Sequence, residues 1–115
     1  MSASFTPKQV KAIRERDDNR CAMCGEEGDD LVPHHRANRG MGGRRSLNRL
    51  SNGVLLHSLE NGLVESDPEM AVLARTKGIK ISGHDEPSHI PIRHAVHGRV
   101  LLDDDGGIHG QEVPF

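Results

Sequence analysis

One stretch of the chain, residues 31 to 65, constrains its fold more than any other. The stretch opens with a short apolar run that ends in two adjacent histidines, His34 and His35, and a second apolar run occupies residues 54–56. Short apolar runs bounded by loop residues are typical of buried strands. Successive side chains of a strand point to opposite faces, so the two histidines can do different jobs. The stretch therefore predicts a strand, then a long loop, then a second buried run that forms either a strand or the first turn of a helix.

The segment that contains this loop carries an unusual local charge. Residues 31–59 contain no Asp or Glu, although the whole chain has a formal net charge of −2. Guanidinium groups pair bidentately with phosphate, and glycines between them allow a close approach of the backbone. We therefore expect the five arginines of this segment to contact a phosphate backbone. They are Arg36, Arg39, Arg44, Arg45 and Arg49.

The composition limits the size of the core. A chain of 115 residues predicts one domain, and with 34% hydrophobic residues, no Trp and no Tyr it can bury only a modest core. Small domains of this kind are often stabilised by a bound metal ion. No apolar run approaches the roughly 18 residues of a membrane span, and the first ten residues lack the apolar core of a signal peptide. We therefore expect a cytoplasmic protein without a membrane partner.

Two cysteines, Cys21 and Cys24, form a C-x-x-C motif and are the only cysteines in the chain. In a reducing compartment this spacing favours metal binding over a structural disulfide. Two thiolates at this spacing can hold one tetrahedral zinc ion, and Gly25 permits the tight turn that this requires. A pair of unligated thiols is the second interpretation. A redox dithiol is the least favoured, because no βαβ context surrounds the motif.

Local signals place the helices. Thr6, which is followed by proline, is a favourable N-cap with proline at the first helical position. Asp67, also followed by proline, repeats this signal, and Gly78 supplies the stop for the helix that follows. Residues 57–65 are predicted to form a helix directly after the second buried run.

The C-terminal tail has a different pattern. Residues 79–82 alternate like a strand, and residues 90–95 and 99–102 predict a hairpin. The histidines of the tail lack a spacing typical of metal ligands, so we expect them on the surface. They are His84, His89, His94, His97 and His109.

Together these motifs resemble the HNH endonuclease family, especially the small HNH proteins of bacteriophages. The resemblance rests on C-x-x-C, a strand ending in His-His-Arg, Arg-Gly-Met-Gly-Gly, Ser-Asn-Gly-Val-Leu-Leu, and a helix that opens with Glu-Asn. It covers roughly residues 5–77, and the tail resembles the C-terminal extension of the phage proteins. The resemblance implies an α+β fold with a ββα-metal core. Residues 1–78 would form the nuclease core with an N-terminal helix, and residues 79–115 a β-hairpin extension.

The resemblance also implies roles for individual residues. His35 matches the general base that activates water, and His34 matches a ligand of the catalytic metal. Asn52 matches the central Asn that holds the strand–loop–helix unit together and orients the base, and Asn48 is a less favoured candidate for that role. Asn61 matches the last catalytic residue, where relatives usually have His. An amide oxygen suits Mg²⁺ or Mn²⁺, and Zn²⁺ or Ni²⁺ are further candidate ions.

The resemblance further implies a structural zinc site in modified form. Where some relatives carry a second cysteine pair, the same spacing after Asn52 leads to His57 and Glu60. Cys21, Cys24, His57 and Glu60 could therefore hold zinc together, since imidazole and carboxylate both ligate zinc. A second register makes His57 the last catalytic residue, and the spacing favours Asn61.

The function implied by the resemblance is that of a metal-dependent endonuclease that hydrolyses DNA. By analogy with phage relatives, such a protein would act beside the large terminase in genome packaging, in the host cytoplasm. The alternative function is a catalytically inactive zinc module of the same fold that binds DNA or a packaging protein.

Overall fold

The computed structural model describes residues 4–38 and 47–110. The described residues form α1 (Pro7–Arg16), β1 (Leu31–His35), β2 (Gly53–His57), α2 (Ser58–Ser66), α3 (Pro68–Thr76), β3 (Ile92–His94), β4 (Gly98–Leu102) and β5 (Ile108–Gly110). Two short 3₁₀ helices span Leu50–Asn52 and Pro87–His89. The predicted α+β class is confirmed.

The strands of the described residues form two small antiparallel sheets. In the first sheet β1 pairs with β2, with Leu31 opposite His57 and His35 opposite Gly53. The second sheet has the order β3-β4-β5. The predicted C-terminal hairpin is present as β3 and β4, whereas β5 was not predicted. Residues 79–82 do not form the predicted strand, and Ile81 makes only an isolated bridge to Ala37.

The helix ends follow the local signals in the sequence. Thr6 and Gln9 form a capping box, in which the Thr6 hydroxyl accepts the backbone N–H of Gln9 and the Gln9 side chain accepts that of Thr6. The Asp67 carboxylate accepts the backbone N–H of Met70 at the start of α3. Gly78, just beyond α3, has a φ of 74°, which is the left-handed conformation typical of a glycine helix stop.

One cluster of buried apolar side chains includes residues from both predicted parts of the chain. Ile13 of α1, Leu55 of β2 and Val64 of α2 belong to the same cluster as Ile92 and Leu102 of the C-terminal sheet. The C-terminal strands therefore pack on the core. Within residues 4–38 and 47–110, no helix combines the length and the apolar character needed to cross a membrane.

Arg36, in the interior of the protein, connects the end of β1 to three other segments of the chain. Only 1% of its surface is exposed. Its guanidinium donates to the backbone carbonyls of Gly78 (2.8 Å), Ser51 (2.9 Å), Pro87 (3.0 Å) and Ile90 (2.8 Å). Burial lowers the pKa of Arg36 to about 10, so the group stays charged at neutral pH. The prediction that Arg36 contacts phosphate is wrong, because its donors are used inside the fold.

Arg49 is engaged by two carboxylates. Its two terminal nitrogens bind both oxygens of Glu86 at 2.6 Å, and one of them also lies 2.6 Å from Asp104. Two acids around one guanidinium leave no positive charge for a phosphate, so the phosphate-binding prediction for Arg49 is also corrected. Arg39, Arg44 and Arg45 lie outside the described residues.

A buried carboxylate, Asp17, ties the end of α1 to the C-terminal sheet. Arg16 donates to both carboxylate oxygens at 2.8 and 2.7 Å, and Nε2 of His97 lies 3.0 Å from one of them. Nε2 of His94 lies 3.4 Å from the other oxygen. His94 is therefore a core residue with 1% exposure, and its predicted surface position is wrong.

We predict that Asp17→Asn lowers the free energy of unfolding by about 3 kcal/mol, because removing one partner of a buried ion pair leaves the other charge uncompensated. Asp18→Asn is the matched control. Asp18 is exposed and has a φ of 57°, a conformation that Asn also tolerates. Urea denaturation at neutral pH measures both variants. Equal stability of Asp17→Asn and wild type would contradict the proposed role of this ion pair.

The same carboxylate predicts a pH dependence. Burial alone would raise the pKa of Asp17, but hydrogen bonds from Arg16 and His94 outweigh it and hold the pKa well below its usual range. A lowered folded-state pKa adds stability above the unfolded value of about 3.9, and this stability is lost as the pH falls. Between about pH 5 and pH 2, wild type should therefore lose more stability than Asp17→Asn.

Candidate functional site

The first sheet and the helix that follows it bring His34 and Asn61 together. The end of β2 leads directly into α2, which carries Asn61 back towards β1. The Nδ1 atom of His34 lies 3.0 Å from the Oδ1 atom of Asn61, and its Nε2 atom lies 3.1 Å from the carbonyl oxygen of Ile79. His57, the alternative last motif residue, instead pairs with Asp30 at 2.8 Å.

The protonation of His34 follows from its surroundings. Burial lowers the pKa of His34, although hydrogen bonds to Asn61 and the charge of Glu65 act in the opposite direction. The ring is therefore neutral at neutral pH and carries one proton. The carbonyl of Ile79 can only accept, so the proton is on Nε2 and the lone pair of Nδ1 faces Asn61.

A lone pair on nitrogen and an amide oxygen face each other in this pair. Two arrangements satisfy both atoms: the amide rotates and donates its NH₂ group, or a cation lies between them. The 3.0 Å separation is close to the distance between neighbouring ligands of an octahedral ion with bonds of about 2.1 Å. His34 and Asn61 thus fit two adjacent positions of a metal shell.

His35 is held by residues near the N-terminus. Its Nε2 atom lies 2.7 Å from Oδ1 of Asn48, and the Asn48 NH₂ group donates to the carbonyl of Ser4 at 2.8 Å. This second bond fixes the orientation of the amide, so the Oδ1 atom of Asn48 accepts a hydrogen bond from the Nε2–H group of His35. The ring of Phe5 stacks on His35 with centroids 4.1 Å apart and an angle of 10°. Because Nε2 carries the proton that binds Asn48, the lone pair of the His35 ring is on Nδ1.

Asn52 connects the two ends of the loop that follows β1. Its buried side-chain oxygen accepts the N–H of Ala37 at 2.7 Å. Its NH₂ group donates to the carbonyls of Ala37 (3.1 Å) and Leu47 (2.8 Å). The resemblance implied that one central Asn both holds the loop and orients the base, but here two residues share these roles. Asn52 holds the loop, and Asn48 contacts the histidine ring.

Cys21, Cys24, His57 and Glu60 form a group whose ligand atoms all lie within 4.8 Å of one another, so the group could bind a metal ion. The Cys21 sulfur lies 3.2 Å from the Glu60 carboxylate, and the Cys24 sulfur 3.9 Å. Asp30 accepts from Nδ1 of His57, which leaves Nε2 with a lone pair for an ion.

The thiols of this group do not match a redox centre. Burial raises the pKa of the Cys21 thiol to about 11. A reactive redox dithiol needs a lowered thiol pKa, so the redox interpretation is disfavoured.

A second group within the described residues, Asp17, His94 and His97, also has ligand atoms close enough to share an ion. Its hydrogen bonds argue against one. The backbone N–H of Val96 donates to Nδ1 of His94, so the proton of that neutral ring must be on Nε2, which then cannot ligate. The Asp17 carboxylate is already paired with Arg16. The first group is the better metal site.

Two residues near the site were missed in the sequence. Glu65 lies one helical turn after Asn61, and its charge acts on His34 while its carboxylate pairs with Lys80 at 2.8 Å. The helical spacing from Asn61 was a signal that could have identified it. Phe5 had no such signal, because its contact with His35 joins segments distant in the chain.

Comparisons of the chain with protein-family models, with curated proteins and with solved structures gave no match. The case for a function therefore rests on the residues and their geometry.

We predict that the purified protein carries one tightly bound metal ion and that Cys24→Ser removes it, because a thiolate ligand is lost. Cys24 is exposed, so the substitution leaves the core intact. His97→Asn, in the second group, is the control and should retain the metal. Elemental analysis by mass spectrometry gives the stoichiometry. Metal that persists in Cys24→Ser and disappears in His97→Asn would reverse the assignment.

Proposed function

We propose that this protein is a metal-dependent endonuclease that hydrolyses DNA, with β1, β2 and α2 as a ββα-metal core. One observation carries the proposal: His34 and Asn61, paired as candidate ligands by their sequence motif, lie 3.0 Å apart with His35 as the next residue of the same strand.

His34 and Asn61 would hold the catalytic ion. An imidazole nitrogen and an amide oxygen suit Mg²⁺ or Mn²⁺, with Zn²⁺ or Ni²⁺ as further candidates. When bound, such an ion supplies positive charge to the phosphate oxygens at which negative charge develops during hydrolysis. Mg²⁺ commonly takes only one or two protein ligands, with phosphate and water completing its shell, so two ligands suffice.

His35 would act as the general base. Its Nε2 proton is held by Asn48, so the lone pair on Nδ1 is the one that can accept a proton from water. Asn48 and the stacked ring of Phe5 fix the orientation of the imidazole. Asn52 acts as a positioning residue, because it holds the loop that leaves the strand carrying His35.

Cys21, Cys24, His57 and Glu60 would hold a structural zinc ion. Two thiolates, an imidazole and a carboxylate are all established types of zinc ligand, and four ligands make a closed tetrahedral site. The ion would link the turn at residues 21–24 to the start of α2. A zinc ion there supports a fold whose apolar core is small.

The alternative function is a non-catalytic zinc module that binds DNA or a packaging protein. The burial of His34, with 4% of its surface exposed, favours this alternative, since a catalytic ion must meet a phosphate. By analogy with the phage proteins that the chain resembles, a protein with either function would act beside the large terminase in genome packaging.

We predict that the protein nicks or cuts supercoiled plasmid DNA with Mg²⁺ or Mn²⁺, and that His35→Ala slows cleavage at least about 100-fold through loss of the base. Asn61→Leu should be similarly slow, whereas Asn61→Asp, which keeps an oxygen ligand, should retain activity. His89→Ala is the control, because His89 is exposed in the C-terminal part. Cleavage by His35→Ala at the wild-type rate would exclude His35 as the base. No cleavage by wild type with any of the four ions would favour the non-catalytic alternative.

A separate prediction concerns Asn48. In Asn48→Asp a carboxylate replaces the amide beside His35, and an opposite charge favours the protonated form of the ring. The acidic limb of the cleavage pH profile should therefore move upward by about one pH unit. Asn19→Asp, in the turn after α1, adds the same charge elsewhere and should leave the profile unchanged. An unshifted profile in Asn48→Asp would contradict the contact with the base.

A further inference from the structure

A groove of about 690 Å³ lies between the end of α3 and the C-terminal sheet. Residues 78 to 82 form one wall, and β3 and β4 contribute Arg93 and Arg99. The two walls meet closely at Gly78, where a side chain would collide with the carbonyl oxygen of Pro91. The groove was not anticipated from the sequence, because it is built from segments that are separate in the chain.

The lining of the groove is basic although the chain as a whole is acidic. Five of the twelve lining residues carry a positive charge and only Asp85 carries a negative one. Lys80 pairs with Glu65. The other four cations form no salt bridge within the described part of the chain. They are Arg75, Lys77, Arg93 and Arg99.

Two of these cations face each other in an unfavourable arrangement. Arg93 of β3 and Arg99 of β4 are directly opposite partners in the antiparallel ladder, and both are exposed. Like charges directly opposite each other destabilise a strand pair. An anion bound between them would remove this repulsion, because guanidinium groups pair well with phosphate oxygens.

The groove adjoins the candidate catalytic centre. Its wall residue Ile81 donates its backbone N–H to the carbonyl of Arg36 at 2.9 Å, directly after the two histidines. Lys80 and Ile81 also line a smaller cavity of about 160 Å³ together with Glu65, which lies one turn beyond Asn61. A phosphate chain lying in the groove would therefore run close to His34.

The geometry points to this groove as the site that binds the phosphate backbone of double-stranded DNA. The groove thereby takes the phosphate-binding role that the sequence had predicted for Arg36 and Arg49. The inference rests on the proposed function and adds to it the surface that holds the substrate. Single-stranded nucleic acids are usually bound by aromatic side chains on which bases stack, and the lining of the groove contains none. Basic side chains without aromatic partners match the backbone of a duplex.

The test compares two double variants that remove the same charge. Arg93→Gln with Arg99→Gln changes the groove, and Lys8→Gln with Lys11→Gln changes the exposed face of α1. Binding of a fluorescent duplex of about 20 base pairs is measured by anisotropy in EDTA over a series of salt concentrations. The groove variant should bind at least about 10-fold more weakly, and its slope of log K against log salt should fall by about 2. The α1 variant should bind like wild type.

Thermal unfolding separates binding from folding. Because the groove variant loses a like-charge repulsion, its melting temperature should equal or exceed that of wild type. A duplex affinity and salt slope equal to those of wild type would overturn the inference, as would tighter wild-type binding of single strands than of duplex.

Plasmid cleavage reports on the proposed function separately. If wild type cleaves plasmid and the groove variant binds duplex as tightly as wild type, only the groove inference is contradicted. If duplex binding depends on the groove but wild type does not cleave, the inference is supported and the proposed endonuclease activity is contradicted.

Discussion

The buried guanidinium of Arg36 holds the end of β1 against three other segments of the chain. Arg36 directly follows the two histidines that end β1, and its guanidinium donates to four carbonyls in those segments. A buried cation is costly unless its donors are satisfied, and here carbonyl oxygens replace the hydration that burial removes. These bonds join the end of β1 to the segment before β2, to the end of α3 and to the segment before β3. The position of His34 against the carbonyl of Ile79 follows from the same junction.

This arrangement changes how the positive charge of the chain is used. The arginine-rich loop looked like a phosphate-binding element, but two of its five arginines, Arg36 and Arg49, are structural. Arg36 holds backbone carbonyls, and Arg49 holds Glu86 and Asp104. Unpaired cations are found instead in the groove beside the C-terminal sheet. In that sense the C-terminal part contributes more than packing, because it forms one wall of the proposed DNA-binding surface.

Local chemistry could be predicted from the sequence and long-range pairing could not. The caps at Thr6 and Asp67, the pairing of two strands and the approach of Asn61 to His34 all follow from signals within a few residues or from motif spacing. The burial of Arg36 and His94 does not, because each is stabilised by partners more than forty residues away. The division of labour between Asn48 and Asn52 was missed for the same reason. It depends on contacts of Asn48 with the N-terminal segment.

The proposed function requires that His34 and Asn61 hold a divalent ion. Paramagnetic Mn²⁺ tests it directly when small amounts are added to protein labelled with ¹⁵N. Nuclei near the ion lose their NMR signals first. If His34 and Asn61 hold the ion, we expect early loss of the side-chain amide signal of Asn61 and of the backbone signals of His34 and His35. If those signals persist while the backbone signals of the acidic turn at residues 103–105 are lost, the ion binds elsewhere and His34 and Asn61 are excluded as its ligands.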